Sequence, residues 1–231
     1  MCGRFVGRFD TEELIAEMLA VDAGLSVTID PDAPLHTANF NTAPTQSCLL
    51  FTSTDGAVTA RTGLWGLVPP WAKDASGAAR MINARSETVT EKPSFRKLVP
   101  RHRAIVPMTG FYEWERSDPK IKKPFFVPRA DGRTMWTAGL WTHSPAVDGR
   151  ATFCIITRES RADLAAIHDR SPVQLTLDDA LSWMMDDEAP LHLLALEDPP
   201  LLGPYEVSRS VNTVRNNGAG LLDPVEPDSL F

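Results

Sequence analysis

The chain is poor in several features, and each scarcity excludes a class of protein. It has three cysteines in 231 residues, Cys2, Cys48 and Cys154. An odd count without a Cys-X-X-Cys pair argues against a disulfide framework or a zinc ribbon and suits a reducing compartment. No stretch approaches the ~18 apolar residues of a membrane helix, and the opening MCGRFVGRFD lacks the apolar run of a signal peptide. A glycine-rich phosphate loop, metal-spaced His or Cys clusters, internal repeats and long linkers are all missing, so no cofactor is implied. The expectation is one cytoplasmic, nucleoid-associated domain over residues 1–222, followed by a flexible tail over 223–231.

What is present begins with enough apolar residues, 43%, to build a core, and a charged fraction of 23% that argues against disorder. The net charge of −7 at first disfavours nucleic acid. It conceals a division, because residues 61–133 hold 15 Lys and Arg against 7 Asp and Glu. Binding depends on local potential more than on the total, so this segment can present a positive groove; the alternative is a solvated basic face.

Along the chain, FDTEELIAEMLAVDAG (9–24) reads as a surface helix with Asp10 as N-cap, Glu13 completing a capping box and Leu14, Ile15, Met18 and Leu19 as its apolar stripe. Residues 34–43 read as a loop. SCLLFTS and AVTARTGLW form a hairpin around Thr54-Asp55-Gly56. The strands RAIVP, GFYEW, FFVPR, TMWTAGLW and ATFCIIT follow, and LTLDDALSWMMDD is an amphipathic helix with Leu181, Met184 and Met185 buried. Short strands joined by glycine and proline turns predict an α+β domain of curved, mainly antiparallel, barrel-like sheets with flanking helices.

The chemistry centres on Cys2. Removal of Met1 would leave a thiol and a free α-amine on one carbon, a pair that condenses with an aldehyde and closes to a thiazolidine; the plain alternative is a start codon followed by a small residue. Such a reaction needs proton transfers, for which a carboxyl and an imidazole are suited. Glu113 in FYEW, between aromatics, and His168 in AAIHDRS are the candidates, against an outward-facing strand residue and a surface helix residue. Asn83 in MINARSE can orient an amine or a sugar hydroxyl without acting as a nucleophile. Arg4, Arg85 and Arg170 are candidate phosphate contacts, and Trp65 and Trp71, flanking GLVPP, offer base-stacking surface or core packing.

The pieces MCGRF, WGLVPPW, NARSET, FYEW, IHDRSPV and a late VN, in that order, resemble the SOS response-associated peptidase (SRAP) family across residues 1 to about 215. That resemblance implies a protein that senses abasic sites in single-stranded DNA. It would cleave off its initiator methionine and link the exposed cysteine to the ring-opened aldehyde, with weak lyase activity and slow reversal. It implies Cys2 as the crosslinking nucleophile, Asn83 as the residue holding the terminus and the sugar, Glu113 and His168 as acid and base, Arg4 and Arg85 on phosphates, and Trp65 in a DNA-wedging loop. It further implies a monomer working without membrane or cofactor, and names no replication partner. Where relatives commonly carry Met between Arg and Pro, this chain has Ser171. Two rivals stay open: a cysteine peptidase acting in trans through Cys2, His168 and Asn83, and a non-covalent single-stranded DNA-binding module.

Overall fold

Residues two apart on a strand share a face, so a run that is apolar throughout, such as ATFCIIT at 151–157, must be covered on both sides. It is. Phe153 and Ile155 join a buried cluster with Phe5, Leu50 and Trp65, while Cys154 and Ile156 join another with Phe51, Ile105, Trp136 and Trp183. The computed structural model, describing residues 2–31, 37–115 and 122–225, places this run on an interior strand of a large sheet.

In chain order the strands begin with β1 (Phe5–Gly7), β2 (Ser26–Ile29), β3 (Asn39–Thr42), β4 (Ser47–Thr54), β5 (Ala57–Trp65), β6 (Asn83–Arg85) and β7 (Arg103–Met108). They continue with β8 (Gly110–Trp114), β9 (Pro124–Pro128), β10 (Met135–His143), β11 (Ala151–Glu159), β12 (Arg170–Pro172), β13 (Gln174–Leu175) and β14 (Tyr205–Glu206). The α-helices are α1 (Thr11–Val21), the one-turn α2 (Ala162–Ala165) and α3 (Leu177–Met185).

The smaller sheet, in the order β14-β9-β8-β1-β3, is antiparallel throughout. The larger runs β12-β11-β10-β7-β4-β5-β2, with β13 on β10, β6 on β11 and a cross-pairing of β11 with β5. Its pairings β2–β5, β5–β11 and β6–β11 are parallel. The expected barrel-like arrangement is thus corrected: the α+β class stands and most pairings are antiparallel, but the larger sheet is mixed and is not closed into a barrel. The parallel contacts join segments about 30 to 90 residues apart, whose partners no local turn signal announces.

Local expectations fare unevenly. The hairpin forms as β4 and β5, with Asp55 and Gly56 at positive φ, as a tight turn requires. Helix α1 is shorter than expected; Asp10 caps it by accepting from the Glu12 N–H, only Leu14 and Met18 are fully buried, and Leu19 is exposed. Thr176 caps α3 by accepting from the Asp179 N–H, with Leu181 and Met184 buried and Met185 only partly so. Within the loop expected over 34–43, Asn39–Thr42 pairs as β3, which tucks β1 between two partners. Part of that loop, 34–36, and part of the expected tail, 226–231, lie outside the described residues.

Candidate functional site

Register brings Glu113 to the N-terminal segment. Strands β1 and β8 pair antiparallel, Phe5 opposite Phe111 and Val6 opposite Gly110, and the Tyr112 N–H donates to the Arg4 carbonyl at 2.9 Å. One further step along the ladder sets Glu113 opposite Gly3, beside Cys2. Both residues are buried, Cys2 completely and Glu113 to 3% exposure.

A second pairing delivers Asn83. Strand β6 lies parallel to β11 with Asn83 opposite Ile155, and Asn83 Nδ2 donates to the Cys2 carbonyl at 2.8 Å. Its Oδ1 is buried and has no hydrogen-bond partner among the described residues. The amide therefore grips the backbone of the second residue and keeps an acceptor in reserve on the same side.

His168 arrives from the turn after α2, where its N–H donates to the Leu164 carbonyl at 2.9 Å. Its ring is buried, with Nε2 3.9 Å from Glu113 Oε2. That is an ion-pair separation, longer than a hydrogen bond, that a small movement would close. On the other side of the ring, Nδ1 accepts the Arg170 N–H at 2.9 Å and lies 3.0 Å from Asp169 Oδ1.

The electrostatics of Cys2 follow from this packing. Burial pushes its thiol far above the ordinary cysteine range, the negative charge of Glu113 pushes in the same direction, and the Arg4 N–H, bonded to the sulfur, opposes both. The resting sulfur is therefore a protonated thiol, and any reaction through it needs a neighbouring base. Cys48 and Cys154 are raised by burial too, but neither has a carboxylate beside it as a cause of its shift.

The expected phosphate and base contacts divide. Arg85 is exposed on β6, and Trp71 is 65% exposed. Trp65 takes the core-packing alternative: it is fully buried, its Nε1 donates to the Ile82 carbonyl at 3.0 Å and its ring lies 5.0 Å from Phe5, so it presents no stacking surface. Arg4 is half-buried, donates to Asn41 Oδ1 at 2.7 Å and the Val211 carbonyl at 3.0 Å, and sits over Trp114. Arg170 holds Glu87 through both oxygens, at 2.7 and 2.9 Å, and also donates to the Thr157 carbonyl at 2.6 Å. That fork holds the Glu87 carboxyl below the usual carboxylate range.

Sequence reasoning missed three contributors. Asn41 ties Arg4 to the carbonyls of Val211, Thr213 and Asn216, while Glu87 and Asp169 flank the histidine's support. Two of them carried a signal: Glu87 is a carboxylate two residues after Arg85 in the segment that already holds Asn83, and Asp169 adjoins His168. Among the described residues no group of three or more His, Cys, Asp or Glu could hold a metal ion, and no helix is long and apolar enough to cross a membrane.

Cys2, Asn83, Glu113 and His168 thus converge from four distant segments. A family model described as SOS response associated peptidase (SRAP) matches residues 1–214. The chain is 36% identical over 230 residues to the abasic site processing protein YoqW of Bacillus subtilis, covering 96% of this chain and 99% of that one. It is 32% identical over 231 residues to the abasic site processing protein YedK of Escherichia coli, covering 97% and 100%. A solved protein from Bacteroides thetaiotaomicron matches with a TM-score of 0.76 over 97% of this chain and all of that one, at 21% identity, a likeness of fold. By its sequence over nearly its whole length, the chain belongs to the SOS response associated peptidase family.

Proposed function

We propose that this protein captures abasic sites in single-stranded DNA by joining them covalently to Cys2, shielding the lesion. The observation that carries the reading is the seating of Cys2, gripped at its carbonyl by Asn83 Nδ2 at 2.8 Å and electrostatically coupled to Glu113, itself 3.9 Å from His168. The names of the relatives point to the same substrate.

Hydrolysis of the Met1–Cys2 peptide bond frees the α-amine. The amine adds to the C1′ aldehyde of the ring-opened sugar, giving a carbinolamine. His168 or Glu113 donates the proton with which the hydroxyl leaves as water, and an imine forms. The Cys2 sulfur then bonds to C1′ while its proton passes through Glu113 to the imine nitrogen, closing the thiazolidine. The net change is the loss of one water. If closure is slow, the same imine allows β-elimination of the 3′ phosphate, a weak lyase activity.

The reacting position has lost its base, so none need be read. Affinity comes from sequence-independent contacts to the backbone, to which Arg85 and the exposed indole of Trp71 contribute from the basic segment. The protein acts as a monomer in the cytoplasm, at the nucleoid.

Intact-mass analysis tests the reading. Incubation with single-stranded DNA bearing one abasic site gives a heat-stable species of mass protein without Met1, plus DNA, less one water, and Cys2→Ala gives none. An adduct that forms equally with Cys2→Ala, or equal retention of undamaged DNA, refutes it.

A further inference from the structure

Asn41, on the strand β3 that flanks β1, is 1% exposed, and both ends of its amide are engaged. Oδ1 accepts from Arg4 Nη1 at 2.7 Å, and a guanidinium can only donate. Nδ2 donates to the carbonyls of Val211, Thr213 and Asn216 at 3.2, 3.1 and 2.9 Å, and carbonyls can only accept. The amide therefore has one orientation, set from both sides. Arg4 is held in turn. Its Nη1 donates to Asn41 and, at 3.0 Å, to the Val211 carbonyl, while its Cζ lies 5.9 Å from the centre of the Trp114 ring. The indole is itself fixed by the same stretch of chain, Nε1 donating to Asn212 Oδ1 at 2.7 Å. A planar guanidinium pinned at one corner and along one face keeps a single edge, Nε and Nη2. Among the described residues that edge has no acceptor, and Nε is buried without one.

We propose that Asn41 is a positioning residue for DNA binding: it turns the Arg4 guanidinium so that its Nε–Nη2 edge receives a phosphate of the strand that reacts at Cys2. The inference rests on the crosslinking reading above for the identity of that strand, and adds to it an uncharged residue that acts only through another. Arg4 stands two residues after the nucleophile, and its N–H is bonded to the sulfur, so a backbone phosphate next to the captured sugar is the anion nearest at hand. Two parallel N–H groups on one edge match two phosphate oxygens, and that match needs the plane of the fork to be set in advance. Asn41 sets it by filling the opposite corner. Removing Asn41 leaves the charge of Arg4 unchanged, so a contribution that depended on charge alone would survive; what is lost is the aimed contact.

Salt titrations of affinity for an undamaged single strand test this, because each phosphate engaged adds ~0.7 to the slope of log K against log salt. Arg4→Gln is expected to lower the slope by about one phosphate and to weaken binding severalfold. Asn41→Ala, which removes no charge, is expected to do the same, and the double variant to lose no more than Arg4→Gln alone. Asn41→Ser, which keeps a hydroxyl for the loop carbonyls but is too short to serve Nη1 as well, carries the same expectation and stands in if Asn41→Ala does not fold. A folded Asn41 variant with the wild-type slope overturns the proposal, as does a wild-type slope in Arg4→Gln. Additive losses in the double variant overturn it too, since Asn41 would then act apart from Arg4. Undamaged strands form no adduct, so the slopes are read independently of the chemistry: a wild-type protein that binds strands and never crosslinks an abasic one refutes the crosslinking reading alone.

Discussion

Replacing Glu113 by Gln sets two effects against each other. The carboxylate is the second cause, after burial, of the raised Cys2 thiol, so an isosteric amide lowers that thiol toward the ordinary cysteine range without reaching it, because desolvation remains. If thiolate supply limited the reaction, Glu113→Gln would crosslink faster. The geometry says the reverse. With Cys2 fully buried and His168 Nε2 3.9 Å from Oε2, the carboxylate is the group placed to move protons off the sulfur and onto the imine. Removing such a group costs ~10²–10⁴ in rate, or about 3–5 kcal/mol of barrier at 1.36 kcal/mol per decade. The expected outcome is a thiol that titrates at lower pH and a protein that crosslinks at least a hundredfold more slowly. Site-resolved alkylation followed by mass spectrometry across pH 7–11 reads the first, and single-turnover adduct formation on denaturing gels the second. Crosslinking at or above the wild-type rate would refute the relay, and an unchanged Cys2 titration would refute the electrostatic coupling.

Asn83→Ala removes the side-chain hydrogen bond that Nδ2 makes to the Cys2 carbonyl, worth about 1 kcal/mol, so crosslinking slows while the urea midpoint moves little; an unchanged adduct rate contradicts the grip. Gly110→Ala puts a Cβ 2.5 Å from Phe126 Cζ and 2.9 Å from the Val127 carbonyl between two paired strands, and is expected to destabilise by ~1–3 kcal/mol, read by thermal or urea unfolding. Trp71→Ala leaves stability nearly unchanged but weakens single-strand binding by ~1–3 kcal/mol, whereas Trp65→Ala costs ~3–5 kcal/mol of stability, read by titration and by unfolding. The buried thiols are raised in the folded state, Cys154 to about 12, so the stability they confer is whole below their unfolded value of ~8.5 and is lost as pH climbs toward the folded values. The urea midpoint should fall between pH ~8.5 and ~10, before tyrosines titrate; a flat profile there contradicts the burial.

The four candidate residues were legible because each sits in a short segment with unusual local chemistry: a cysteine behind the initiator, an acid among aromatics, an amide before an arginine, a histidine next to an aspartate. Their convergence was not, because it depends on β1 pairing with β8 and β6 with β11, contacts between segments about 70 to 105 residues apart. The barrel-like expectation failed for the same reason, since turn signals announce hairpins and say nothing of β2 or β6 lying parallel to distant strands. Trp65 shows the limit of reading aromatics by position. It ends a strand whose neighbouring residues in space, Phe5 and Ile82, come from elsewhere, and it is those that take it out of solvent. The fork between Arg170 and Glu87 was equally hidden, since it joins residues 83 positions apart.

Strand β1 lies between β3 and β8, so the first residues of the chain are an interior thread of the smaller sheet. Translation delivers that thread first and one of its two neighbours more than a hundred residues later, a wait of roughly 5–20 s at the usual pace of synthesis. Throughout that interval the terminus hangs loose and open to any aminopeptidase, while Glu113 and His168 do not yet exist. Maturation by the protein's own groups can begin only after the ribosome has finished most of the chain, so pulse-labelling that dates the loss of Met1 would tell an external trimming enzyme from the fold itself.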